Sequence, residues 1–138
     1  MYENIEELIN RTQKTLICFE NYALNAVVMN VFDRIFRENG NLYLTLDIAK
    51  LYNKNFEIIQ KDYEYMTERG ERIREIHIHD VNPQYGGHQS VGSGIVDFKK
   101  FEKFLFREDI FMNFEVRPPE AAKLSKQTLF ETFGKKDK

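Results

Sequence analysis

The sequence predicts an α/β protein of four consecutive βα units, and three observations carry that expectation. Short apolar strands alternate with longer amphipathic segments along the chain, and Gly, Asn and Pro punctuate the junctions. Each strand also ends in a polar residue of ligand type: Glu20, Asp47, His77 and Glu115. Alternation of this kind argues for parallel βα units, whose strands are expected to be buried on both faces.

The elements follow in order. An amphipathic helix with Ile5, Leu8 and Ile9 on one face opens the chain, and the strand Thr15 to Phe19 runs out at Glu20 and Asn21. A second helix covers Ala26 to Arg37, and Asn39 and Gly40 supply a usual helix stop. The strand Leu42 to Leu46 ends at Asp47. A third helix, Asn55 to Glu68, stops at Gly70 and feeds the strand Ile73 to Ile78. A loop rich in Gly and Pro then runs to Val96, and Asp97 caps the helix FKKFEKFLF. The last strand, Ile110 to Val116, is followed by Pro118, Pro119 and a final helix across Glu120 to Phe133.

Composition narrows the class. The 138 residues suit one domain, 1–138, and 42% hydrophobic content is ordinary for a packed core. No stretch approaches the roughly 18 apolar residues of a membrane span. The N-terminus MYENIEELINRTQK lacks a basic-then-apolar leader, so the expected location is the cytoplasm and no membrane partner is expected. Cys18 is the single cysteine, which excludes an intrachain disulfide; its place in LICF reads as a buried thiol. Twenty basic against 22 acidic residues give no single-sign field, which disfavours nucleic acid as a partner. Residues 134–138, GKKDK, read as a disordered, solvated tail.

The chemistry concentrates between Ile73 and Phe98, where all three histidines, His77, His79 and His88, lie beside Asp80 and a glycine-rich loop. In α/β folds ligands bind at the carboxyl ends of the strands, so Glu20, Asp47, His77 and Glu115 converge there. Taken alone, Asp47 reads equally well as a helix N-cap, and His77 as a satisfied core histidine. Four such residues ending four consecutive units are a poor match to coincidence. Three carboxylates and one imidazole suit manganese, magnesium, cobalt or zinc.

At CFEN (18–21), LTLDIA (44–49), IHIHD (76–80), HQSVGSGIVDF (88–98) and NFEV (113–116), the chain resembles the C-terminal half of the xylose-isomerase-like TIM barrel superfamily. That superfamily groups sugar isomerases and epimerases with endonuclease IV. The resemblance implies a half barrel of four βα units, with Glu20, Asp47, His77 and Glu115 as metal ligands. It also implies that Glu20 and Glu115 are the acid/base pair of an isomerase or epimerase acting on a sugar or sugar phosphate. There a divalent ion chelates a carbonyl and adjacent hydroxyl, and a carboxylate moves the proton through an enediolate. His79, His88 and Lys50 fall at substrate-facing positions.

Two departures separate the chain from endonuclease IV. Lys50 stands where the family commonly has a histidine, and a lysine is normally protonated and a poor ligand. The D-x-H pair of the glycine loop appears as Gly86, Gly87 and His88, without its aspartate. Both argue against a multinuclear zinc site and place cleavage of abasic DNA below sugar chemistry. A complete barrel needs eight units and about 250 residues. The remaining expectations are therefore closure by a second copy or by a complementary N-terminal half, or a truncated, non-catalytic half barrel.

Overall fold

The computed structural model describes residues 2–12, 15–22, 24–38 and 40–135. Asn39 of the expected helix stop and residues 136–138 of the expected tail lie outside them. The chain forms helix α1 (Tyr2–Arg11), strand β1 (Ile17–Glu20), helix α2 (Ala26–Glu38) and strand β2 (Leu42–Asp47). Helix α3 (Gln60–Glu68) and strand β3 (Ile73–Ile78) follow, then a short pair, β4 (Asp80–Asn82) and β5 (Gly86–Gln89). Helix α4 (Glu102–Leu105), strand β6 (Phe111–Phe114) and helix α5 (Pro119–Thr132) complete the described residues. None of these helices is long and apolar enough to cross a membrane.

Strands β1, β2, β3 and β6 form one sheet in that order, every pair parallel. The order follows the chain without reversal, and right-handed crossovers then deliver every intervening helix to the same side. Burial records the result. Leu42, Leu44, Leu46, Ile76 and Ile78 alternate onto one face and join Phe32, Ile35, Met66, Phe104 and Leu129 in a single core. Each such fully buried aliphatic side chain stabilises by roughly 1.5–3 kcal/mol.

The opposite face is polar. Register places Glu20 beside Thr45, Thr45 beside Glu75, Asp47 beside His77 and His77 beside Asn113. Burial on both faces is therefore not what the strands show: the side away from the helices carries hydrogen-bonding groups, and only β2 is buried along nearly its whole length. Cys18 lies on this face and is half-buried, not buried as expected, and desolvation there raises its thiol pKa.

Local differences from the expected elements have physical causes. Leu8 is exposed while Ile5 and Ile9 anchor α1. Strand β1 starts at Ile17, leaving Leu16 60% exposed, and takes in Glu20 as its last residue. The third helix begins at Gln60, not Asn55. The Asn53 side chain accepts from the amides of Asn55 and Glu57, Phe56 adopts a φ of 62°, and Tyr52 bridges Ile58. That side chain offers the backbone an alternative to helix. FKKFEKFLF is a 3-10 turn, Phe98–Phe101, followed by the single turn α4; Asp97 caps it by accepting from the Lys99 amide. Strand β6 is shorter than expected, while Ile110 and Val116 outside it are still buried. Gly70 closes against Phe104, whose ring lies 2.7 Å from where a Cβ would sit.

Candidate metal centre at the carboxyl ends of the strands

Asp47 is the centre of the cluster. Its backbone is fixed by Asn21, whose side-chain carbonyl accepts from the Asp47 amide at 2.7 Å and whose amide donates to the Asp47 carbonyl at 3.0 Å. Buried Asn21 thus continues the β1–β2 ladder by one side chain and holds the strand end where Asp47 must act. Asp47 Oδ1 accepts from the amides of Ala49 and Lys50 in the 3-10 turn Ala49–Leu51, but the N-cap of that turn is Ile48 and that of α3 is Ile59, so Asp47 is not the helix N-cap of the plain alternative. Oδ2 remains buried with no hydrogen-bond partner among the described residues. Burial alone would raise the Asp47 pKa, but His79, Lys50 and Glu20 outweigh it and hold the carboxyl at about 2.

His77 lies next to Asp47 across the β2–β3 ladder. Its Nε2 is 3.3 Å from Glu75 Oε1, and Glu75 Oε2 in turn accepts from the Thr45 hydroxyl at 3.0 Å. The ring stands between two carboxylates, and with its proton on Nε2 toward Glu75 it would offer the Nδ1 lone pair to an ion, the way an outer partner orients a ligating histidine. Nδ1 is buried without a hydrogen-bond partner, 3.4 Å from Glu115 Oε1. Glu20 completes the group from β1, its carboxylate paired with the Lys50 ammonium.

Ligand atoms of Glu20, Asp47 and His77 all lie within 4.8 Å of one another. Glu115 joins this group through His77 and also belongs to a second set, with His79 and His88, of the same spacing. The four expected ligands are thus brought to one strand-end surface as a triad plus a neighbour. The donor set fits a divalent ion: oxygen-rich, with one imidazole, and with two buried ligand atoms that make no hydrogen bond among the described residues and have only the Lys50 ammonium and a Glu115 oxygen, each 3.4 Å away.

The three residues expected to meet substrate have distinct positions. Lys50 pairs with Glu20, lies 3.4 Å from Asp47 Oδ2 and sits over the Tyr22 ring. His88, at a φ of 56°, is exposed, stacks on His79 at 4.3 Å and holds its Nδ1 3.1 Å from the Glu115 carbonyl. His79 is buried, and its Nδ1 accepts from the His88 amide at 2.8 Å. The neutral ring therefore carries its proton on Nε2, 3.4 Å from Asp47 Oδ1. Burial lowers the His79 pKa, yet Asp47, the Asp80 carbonyl and Glu115 together raise it. His79 thus stands beside Asp47, and its buried Nε2, which has no hydrogen-bond partner among the described residues, also belongs to the set with His88 and Glu115.

A cleft of about 720 Å³ opens beside the cluster, with Asp47, Lys50 and His79 on its floor and Tyr22, Tyr52 and Asp62 around it. Four further residues, two of which, Asn21 and Asp80, the sequence marks without a role, shape this region in ways a sequence reading does not assign. Glu75 could have been found, since it shares a strand face with His77 two residues on. The roles of Asn21 and Asp80 have no local signal, because their partners are distant in sequence. Asp62, in the first turn of α3, reads as an ordinary helix-dipole residue.

Asp62 is 7% exposed and its Oδ1 has no hydrogen-bond partner among the described residues. Burial raises its pKa against the opposing pull of Lys61. A raised carboxyl holds its proton more tightly in the folded than in the unfolded chain. Stability is then greatest below the unfolded value and falls as pH rises through the folded one. An orphaned polar group costs about 1–3 kcal/mol, and the helix dipole returns only about 0.3–1 kcal/mol. Asp62→Asn is therefore expected to raise Tm at pH 7 by about 3 °C, with the gain shrinking toward pH 4. Thermal melts of both proteins across that range check it.

No family model matches the chain, and no solved structure matches it. It is similar to an uncharacterized protein of Methanocaldococcus jannaschii, 34% identical over 66 residues, which are 48% of this chain and 24% of that protein. The chain thus spans about a quarter of the length of the curated relative it matches.

Proposed function

We propose that the chain is the C-terminal half of a xylose-isomerase-like barrel, and that it is a divalent-metal-dependent isomerase or epimerase of a sugar or sugar phosphate. The observation that carries this reading is the convergence of ligand atoms of Glu20, Asp47 and His77 within 4.8 Å of one another, with Asp47 Oδ2 and His77 Nδ1 buried and without hydrogen-bond partners among the described residues, and with Glu115 Oε1 3.4 Å from that nitrogen. Buried polar atoms without a hydrogen bond are rare in folded proteins, and a divalent ion at this strand-end cluster would bond both, where Oδ2 now has only the Lys50 ammonium at 3.4 Å and Nδ1 only Glu115 Oε1 at 3.4 Å.

Glu20, Asp47, His77 and Glu115 would hold manganese, magnesium, cobalt or zinc. The bound ion would supply charge stabilisation for a carbonyl and its adjacent hydroxyl. Glu20, the last residue of β1, and Glu115, the residue after β6, come from the two edges of the sheet on either side of β2 and β3, where one would take a carbon-bound proton and the other return it. Tyr22 and Tyr52 offer apolar ring surface along the cleft, and Lys50 and Lys61 offer cations to an anionic substrate end. The edges β1 and β6 are both parallel strands, and the polar sheet face away from the helices is the face a barrel encloses. A second copy or a complementary N-terminal half would cover it. Residence in the cytoplasm belongs to the same reading.

Calorimetric titration with manganese chloride tests the metal centre, with saturable binding at micromolar concentration expected. Absence of saturation below millimolar concentration, in wild type and in Lys50→Met alike, overturns the reading. Exchange of carbon-bound hydrogen in deuterated buffer, across a panel of ketoses and ketose phosphates, tests the chemistry. Glu115→Gln is expected to slow that exchange by about 10²–10⁴-fold.

A further inference from the structure

We propose that the Lys50 ammonium is a resident competitor for the metal position, so that a divalent ion enters only as Lys50 swings out of the strand-end cluster into the cleft. This rests on the metal-centre reading above and adds a control on it. The ammonium contacts Glu20 and lies 3.4 Å from Asp47 Oδ2. These are two of the three residues whose ligand atoms converge. Asp47 Oδ1 is already engaged by the amides of Ala49 and Lys50, with His79 Nε2 also 3.4 Å away. Oδ2 is thus the oxygen that an ion would use, and it is the one Lys50 faces.

The backbone explains why the ammonium is delivered there. Asp47 ends β2, and a 3-10 turn, Ala49–Leu51, begins at once. The Lys50 amide bonds to the same carboxylate that its side chain approaches, so the stem is anchored while the four-carbon chain stays free to rotate. The way out is open: the Lys50 side chain is 36% exposed, lies over the Tyr22 ring and borders the cleft. An ammonium and a divalent ion on the same two carboxylates repel one another, so one must leave. Metal loading therefore returns a cation to the cleft, where the anionic end of a substrate would meet it.

Calorimetric manganese titrations of wild type, Lys50→Met, Lys50→Gln and Lys61→Met distinguish competition from diffuse charge. Lys50→Met is expected to bind manganese about tenfold more tightly than wild type. Lys50→Gln, which keeps the polar stem, is expected to follow it and serves if the methionine variant does not fold. Lys61 borders the same cleft, and Lys61→Met is expected to change affinity by less than about threefold. If wild type and the Lys50 variants bind equally well, competition is overturned and the metal centre stands. Equal tightening by Lys50→Met and Lys61→Met also overturns it, in favour of diffuse charge. If neither wild type nor the Lys50 variants bind manganese, the metal-centre reading falls and takes this proposal with it.

Discussion

Asp80→Ala is expected to lower the unfolding free energy by about 3 kcal/mol and Tm by about 10 °C. Asp80 is 1% exposed, and its carboxylate organises the loop that follows β3. Oδ1 accepts from the amides of Val81 at 2.8 Å and Val96 at 3.0 Å, and Oδ2 accepts from Gly92 and Gly94, each at 3.0 Å. Four amides on one ionised group are charge-assisted bonds, stronger than neutral ones. Water recovers part of the loss once the loop opens, so the cost stays below four full desolvation penalties. Gly94 shows how tightly the loop closes on Asp80: an added Cβ would lie 2.4 Å from Oδ1 and 2.1 Å from the Val81 carbonyl oxygen. Asp80→Asn should cost nearly as much, since its amide group would face two donors where the carboxylate offered acceptors. Circular dichroism melts measure the stability, and hydrogen exchange at residues 92–96 reports the loop. A loss under about 1 kcal/mol with unchanged exchange would show that the loop holds without Asp80.

The same loop shows what a linear reading reaches. Strand β3 is Ile73–Ile78 as expected, because a period-two apolar pattern bounded by Gly70 and a polar strand end is a local signal. The convergence of Glu20, Asp47, His77 and Glu115 was legible for a related reason: chain order alone puts the ends of successive parallel strands side by side. One-sided burial was not legible, because Thr45, Glu75 and Asn113 become a polar face only when register aligns them. The antiparallel pair β4–β5 hid in a segment that reads as a loop rich in Gly and Pro. The work of Asp80 lies in amides 12 to 16 residues downstream as well as in its neighbour, a separation without periodicity. Asn53 overrode the helical pattern after it by a side-chain bond that composition does not reveal. Lys50 read from sequence as a substrate cation; its place on Glu20 and Asp47 follows from the turn at the end of β2.

Asp47→Asn should weaken manganese binding by at least about 100-fold while leaving the fold intact, since loss of an outer partner alone costs 10–100-fold. The substitution preserves shape and keeps an oxygen for the amides of Ala49 and Lys50. Asn21 continues to clamp the backbone on both sides of the residue, so the strand end does not move. What changes is the second position: an amide nitrogen replaces Oδ2, has no lone pair for an ion and turns its hydrogens toward the Lys50 ammonium. A double-mutant cycle then separates ligation from general charge. If Asp47 Oδ2 is the atom for which the ion and Lys50 compete, Lys50→Met gains much less in the Asp47→Asn background than in wild type. Calorimetric affinities for the four proteins give the coupling directly. Strictly additive effects would mean that Asp47 and Lys50 act on the ion independently, with the contested position lying on Glu20 alone.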